Sequence, residues 1–142
     1  MALFRYPRMP RVIAAAAAAC AVAAPAFAAP GVTLELNRFE PRDNACRISL
    51  VAKNGGEKAL ESLKLDLVFF DKDGVISRRL AVEAGPLRAD KTTVKLFEAT
   101  DVSCAAVSRV LLNDVTACGA DGTDCLDLVS VSSRVKDVEF SK

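Results

Sequence analysis

The sequence predicts an all-β fold: an immunoglobulin-like antiparallel β-sandwich of about seven strands with two disulfides. Three features lead there. Apolar and polar residues alternate with period two along most of the chain. Turn-forming residues interrupt that alternation about every ten positions, the spacing of short strands joined by tight loops. An even set of cysteines remains once an export leader is set aside.

The strands follow in order. Val32, Leu34 and Leu36 alternate with Thr33, Glu35 and Asn37 in the first. Cys46, Ile48, Leu50 and Ala52 alternate with Arg47, Ser49 and Lys53 in the second, until Asn54-Gly55-Gly56 ends the run. Residues 63–70 form the clearest strand, with Leu65, Leu67 and Phe69 on one face and Val68 and Phe70 on the other. Asp71-Lys72-Asp73-Gly74 then reads as a hairpin turn, because glycine accepts a positive φ without a Cβ clash. The return strand covers residues 75–82, and Gly85-Pro86 turns the chain again. Val94 and Leu96 mark a fifth strand, and residues 101–106 suit a short helical turn. The sixth strand, residues 107–117, has no settled inward face, since Val110 and Leu112 compete with Leu111 and Val115. Residues 126–134 form the seventh, expected to pair with the sixth across a hairpin loop, and residues 138–140 make a looser terminal strand.

Ahead of the first strand lies a segment with the grammar of a secretory signal. Arg5, Arg8 and Arg11 precede an uncharged, alanine-rich stretch over residues 12–24, and Pro25 is followed by Ala26-Phe27-Ala28. Cleavage after Ala28 is expected, because one residue later would place Pro30 at the scissile bond. That leaves one domain, residues 29–142. A retained anchor is the poorer reading, since the stretch is mostly alanine and broken by Pro25. Ala17-Ala18-Ala19-Cys20 lacks the usual leucine of a lipobox, so a lipoprotein anchored at Cys20 is less favoured. No two arginines are adjacent in the leader, and Sec export to a bacterial periplasm is the simpler expectation, with no membrane span in the mature chain.

The mature portion carries 16 basic and 18 acidic residues, a net charge of −2. No basic surplus is present for nucleic acid or anionic lipid, and nucleic acid is not an expected partner. Tyr6, Met1 and Met9 leave with the leader, so the mature chain holds no Trp, Tyr, Met or His. The absence of histidine removes Ser-His and Cys-His catalysis and every histidine metal site.

Cys46, Cys104, Cys118 and Cys125 remain, and in an oxidising compartment two disulfides are the default. No Cys-x-x-Cys spacing supports a zinc knuckle or a thioredoxin-like centre. In the sandwich the second and sixth strands run the same way in opposite sheets, which brings Cys46 beside Cys104. Cys118 and Cys125 then close the loop between the sixth and seventh strands. Other motifs dissolve on inspection. Aligning Gly74 with the invariant glycine of an EF-hand loop puts Phe69 and Leu80 where carboxylates are needed. Asp114, Asp121 and Asp124 read as loop aspartates rather than cation ligands, and Ser133-Arg-Val-Lys136 falls at a strand end rather than at the helix start its S-x-x-K pattern requires. No metal and no cofactor is expected.

The block from Leu60 through Leu-Val-Phe-Phe-Asp71 to Gly74, with Arg79-Leu80 and the Gly85-Pro86-Leu87 turn, resembles small extracytoplasmic Ig-like modules of the FxLYD type. Nearly the whole mature chain, including Arg109-Val-Leu-Leu-Asn-Asp-Val115 and the four cysteines, is similar to short exported alphaproteobacterial proteins labelled as Tat-pathway signal-sequence proteins. The resemblance implies an exported β-rich domain and carries no catalytic residues. The expectation is therefore a non-catalytic periplasmic module that binds another envelope protein or a second copy, with Val68 and Phe70 as its contact face. The alternative is a small redox-active or enzymatic factor that uses Cys118 and Cys125.

Overall fold

Eight strands assemble into two facing four-stranded sheets. The computed structural model describes residues 31–119 and 125–142. The leader, its cleavage site at Ala28, Cys20, Asp121 and Asp124 lie outside the described residues. The strands are β1 (Val32–Arg42), β2 (Ala45–Asn54), β3 (Lys64–Asp71), β4 (Ile76–Glu83), β5 (Lys91–Thr100), β6 (Val107–Ala117), β7 (Val129–Ser133) and β8 (Glu139–Ser141), with a 3₁₀ turn at Cys104–Ala106. Sheet I has the order β5-β2-β1-β7 and sheet II the order β4-β3-β6-β8. Leu34, Leu36, Ile48 and Leu50 of sheet I share one buried core with Leu65, Leu67, Phe69, Val110 and Leu112 of sheet II. The alternation read from the sequence is the inward set of both sheets, as sandwich packing requires.

The competing parities of the sixth strand are the signature of a β-bulge. Leu67 pairs with Leu112 and Asp66 with Asp114, so Asn113 is an extra residue. An inserted residue shifts the inward set by one. Val110 and Leu112 are therefore buried on one side of the bulge and Val115 on the other. β1 does the same at Asn37, which lets Phe39 pack against the core after Val32, Leu34 and Leu36. The first strand thus runs on to Arg42.

The Asp71–Gly74 hairpin forms as expected. Asp71 Oδ1 accepts the backbone N–H groups of Asp73 and Val75, both at 2.9 Å, and Gly74 takes a φ of +77°. Ser133 likewise closes a turn, its Oγ accepting the Val135 N–H at 3.2 Å.

The seventh strand departs from expectation. It forms no hairpin with the sixth; β7 crosses to sheet I and runs parallel to β1, Val32 opposite Val129 and Leu36 opposite Ser133. β8 takes the free edge of β6, also in parallel. Buried Val129 with outward Ser130 would satisfy either sheet, so the period of two cannot choose the edge. The choice is fixed by long-range bonds: Val32 donates to Leu128 O at 2.9 Å and Arg134 N–H to Leu36 O at 2.8 Å.

Both disulfides are present. Cys46, at the start of β2, joins Cys104 in the 3₁₀ turn, with Cα atoms 4.9 Å apart. Cys118 joins Cys125 with Cα atoms 5.8 Å apart, across the connection that carries the chain from sheet II to sheet I.

Candidate interaction surfaces

The outer face of sheet II contains the residues singled out in the sequence. Val68 and Phe70 do point away from the core of β3, yet their own neighbours cover them. Arg79 stands opposite Val68 on β4 and its guanidinium reaches back to Asp66, with Nε to Oδ1 at 2.8 Å and Nη2 to Oδ2 at 2.7 Å. That path lays the arginine stem along the face, and Leu111 flanks Val68 from β6. Val68 is left 6% exposed. Phe70 is half-buried, with the Arg109 guanidinium 4.1 Å from its ring centroid, a cation–π contact.

Asp66 is the charged residue buried on this face. Hydrogen bonds from Arg79 hold its carboxyl below the usual range, against the opposing effect of burial, and Asn113 Nδ2 adds a further bond at 2.7 Å. Asn113 is the bulge residue of β6, next to Asp114, which pairs with Asp66.

Two more carboxylates are held low by donors. Glu83 accepts the Leu63 N–H at 2.8 Å, which is the main cause, and also the Ser62 hydroxyl and the Gly85 N–H. It pins the turn after β4, where a Cβ on Gly85 would lie 2.7 Å from Leu63 N. Glu35 is lowered first by Asn37 and then by Arg134. Groups whose folded pKa is depressed stabilise the fold fully above their unfolded values and lose that contribution as pH falls through the folded ones. The urea midpoint should therefore hold from neutrality to about pH 5 and fall below about pH 4, with a shallower fall in Glu83→Gln. Urea titrations across that range test this, and a midpoint as high at acid pH as at neutrality contradicts it.

The uncovered apolar surface lies on the outer face of sheet I. Val94 is 59% exposed and Leu96 63%, both on β5. Half-buried Val51 stands opposite Val94, and Ser49 opposite Leu96. Two ion pairs bound this strip, Arg47–Glu98 at 2.8 Å and Arg134–Glu35 at 3.0 Å. Val75 and Ile76 add a second exposed pair beyond the Asp71–Gly74 turn.

Val94 and Leu96 announced the fifth strand, but the sequence does not say which way they point. Each of the two alternating sets, Thr93-Lys95-Phe97-Ala99 and Thr92-Val94-Leu96-Glu98, holds two apolar residues and one charged one. Pairing decides: Phe97 stands opposite buried Ile48 and Ala99 opposite buried Cys46, so the second set faces out.

Elsewhere several polar groups are engaged with one another. Asn44 Nδ2 donates to Asp101 Oδ1 at 2.6 Å in the cleft beside Cys104, and Asp114 Oδ1 accepts the Val115 N–H. Among the described residues no group of three acidic or cysteine side chains is placed to hold a metal ion, and no helix is long and apolar enough to cross a membrane. Comparison with protein-family profiles, curated proteins and solved structures gives no match. The two disulfides point to an oxidising, extracytoplasmic compartment.

Proposed function

We propose that this chain is a non-catalytic module exported to the periplasm by cleavage after Ala28, and that it binds another envelope protein through the outer face of sheet I. The observation that carries this is the strip of Val94 and Leu96 beside Val51, apolar, open to solvent and flanked by two ion pairs. Apolar centres with polar rims are the usual anatomy of protein interfaces. The Phe70 face is the weaker choice, because Arg109 already occupies its ring.

A photo-crosslinking residue placed at 94 or 96 in the exporting cell should form an adduct with a partner that Leu96→Ser abolishes. Leu96→Ser should leave stability within about 0.5 kcal/mol, as expected of an exposed position. Adducts formed only from position 70 would move the site to sheet II, and adducts from neither position would overturn the reading. Mass spectrometry of the exported protein should find Ala29 at its N-terminus.

The redox alternative rests on Cys118 and Cys125. Cys118 is 2% exposed and belongs to the core, but its partner Cys125 is only half-buried, so access to the bridge does not by itself separate the two readings. Equilibration in glutathione buffers separates the two readings, a structural cystine lying below about −300 mV.

A further inference from the structure

β4 and β5 are the long sheet edges, with eight and ten residues against five in β7 and three in β8. They lie on the same side of the sandwich, joined by the turn at Gly85. β4 is interrupted by a bulge at Ser77. β5 pairs with β2 over ten residues without a register shift and contains no proline. A long, flat edge flanked by Val94 and Leu96 is the kind of strand to which another chain adds.

At inner-facing positions β4 carries Arg78, and β5 carries Lys95 together with Lys91, which is exposed at the start of the strand. Arg78 stands opposite buried Phe69, and Lys95 opposite buried Leu50. Each reaches across the open side of the sandwich. Lys95 Nζ donates to Gly85 O at 2.9 Å, and Arg78 Nη2 donates to Thr100 Oγ1 at 2.9 Å. Neither is fully satisfied by protein. The Lys95 ammonium has three donors and one acceptor among the described residues, and Arg78 Nε has none. Arg78 has a carboxylate near it, Asp101 Oδ2 at 4.0 Å, and its Nε is closed off from solvent, whereas no carboxylate pairs with the half-buried Lys95 among the described residues.

We infer that Lys95, seconded by Arg78, is a gatekeeper that keeps the β5 edge from pairing with a second copy of this chain. Two effects act together. A strand added beside β5 closes the open side over the ammonium and strips its water without supplying a counter-charge. Register supplies the other. An antiparallel pair of β5 strands about a two-fold axis through residue 95 sets Val94 opposite Leu96 of the other copy, joining all four apolar side chains on one face. That same register sets Lys95 opposite its own copy, and like charges directly opposed are destabilising. Moving the axis to residue 96 relieves the lysines but places Val94 against Glu98. The lysine therefore blocks the one register that the apolar strip rewards.

Sedimentation velocity of the full mature protein at micromolar to millimolar concentrations tests this, since edge-exposed species associate in that range. The wild type and Lys95→Arg should be monomeric. Lys95→Thr should dimerise, with a dimer Kd at least about tenfold lower than any wild-type association. Arg78→Thr should do less, because the bulge at Ser77 already spoils the β4 edge. Adding Leu96→Ser to Lys95→Thr should restore the monomer, and hydrogen exchange should show β5 amides newly protected in the dimer. Should Lys95→Thr fail to fold, Lys95→Gln keeps a donor for Gly85 O without the charge and should dimerise in its place. A folded Lys95→Thr or Lys95→Gln that stays monomeric overturns the inference, as does a wild-type dimer with protected β5 amides.

Discussion

Replacing Cys46 and Cys104 together by alanine is expected to lower the unfolding free energy by about 4 kcal/mol. The bridge spans 58 residues of sequence, and the entropy it removes from the unfolded chain grows with the loop it closes. The seven-residue separation of Cys118 and Cys125 gives about 2.5 kcal/mol by the same chain-entropy relation. Position reinforces the order. Cys46 is fully buried on β2, paired with Ala99 of the neighbouring β5, and its bridge anchors the turn that leads into β6 on the opposite sheet. Domains of this size are stable by about 5 to 15 kcal/mol, so losing the long bridge takes a large share of the total. Guanidinium unfolding of the two double alanine variants beside the wild type measures both terms. A larger loss from the Cys118–Cys125 pair would show that the unfolded chain is not what the long bridge constrains.

That pairing was legible in the sequence because it needs only strand order and direction. Cys46 begins one alternating run and Cys104 precedes another, and in a two-sheet sandwich those ends meet. The strands themselves were legible for the same local reason: a residue such as Leu67 between Asp66 and Val68 declares its face through its neighbours. Where the local rule fails, a non-local interaction has decided. In β6 inserted residues, Asn113 among them, switch the inward parity along the strand, so Val110 and Leu112 are buried on one side of Asn113 and Val115 on the other. At β7 the alternation of Val129 and Ser130 is satisfied on either sheet, and hydrogen bonds to Val32 and Leu36, nearly a hundred residues earlier, select the edge.

The candidate surface was less legible than the fold. Period two places Val68 and Phe70 outside the core, and the structure agrees that they face away from it. What it cannot foresee is coverage, because the neighbours come from two other strands: Arg79 stands opposite Val68 and reaches to Asp66, and Arg109 lies over the Phe70 ring. The reverse holds for Val94 and Leu96, which look like core and stand in solvent because Phe97 and Ala99 take the inward places opposite Ile48 and Cys46.

Phe69→Ala should cost about 3 to 5 kcal/mol, whereas Phe70→Ser, one residue along, should cost roughly 1 to 2 kcal/mol. Phe69 is fully buried in the centre of the sandwich, between Val110 on β6 and Arg78 on β4. Truncation there leaves a void the size of a phenyl ring between two sheets whose separation is fixed by many other side chains, so the site cannot collapse to fill it. Phe70 faces outward and is half-buried, and its loss forfeits partial burial and the Arg109 contact, worth about 0.5 to 1 kcal/mol at an exposed site. Arg109 returns to water when its ring is removed, so no buried charge is stranded. Urea unfolding of the two variants separates these cases. If Phe70→Ser destabilises the domain as much as Phe69→Ala, the outer face of sheet II is a second core layer and has no surface to offer a partner. A small loss leaves that face free to be tested by crosslinking beside Val94 and Leu96.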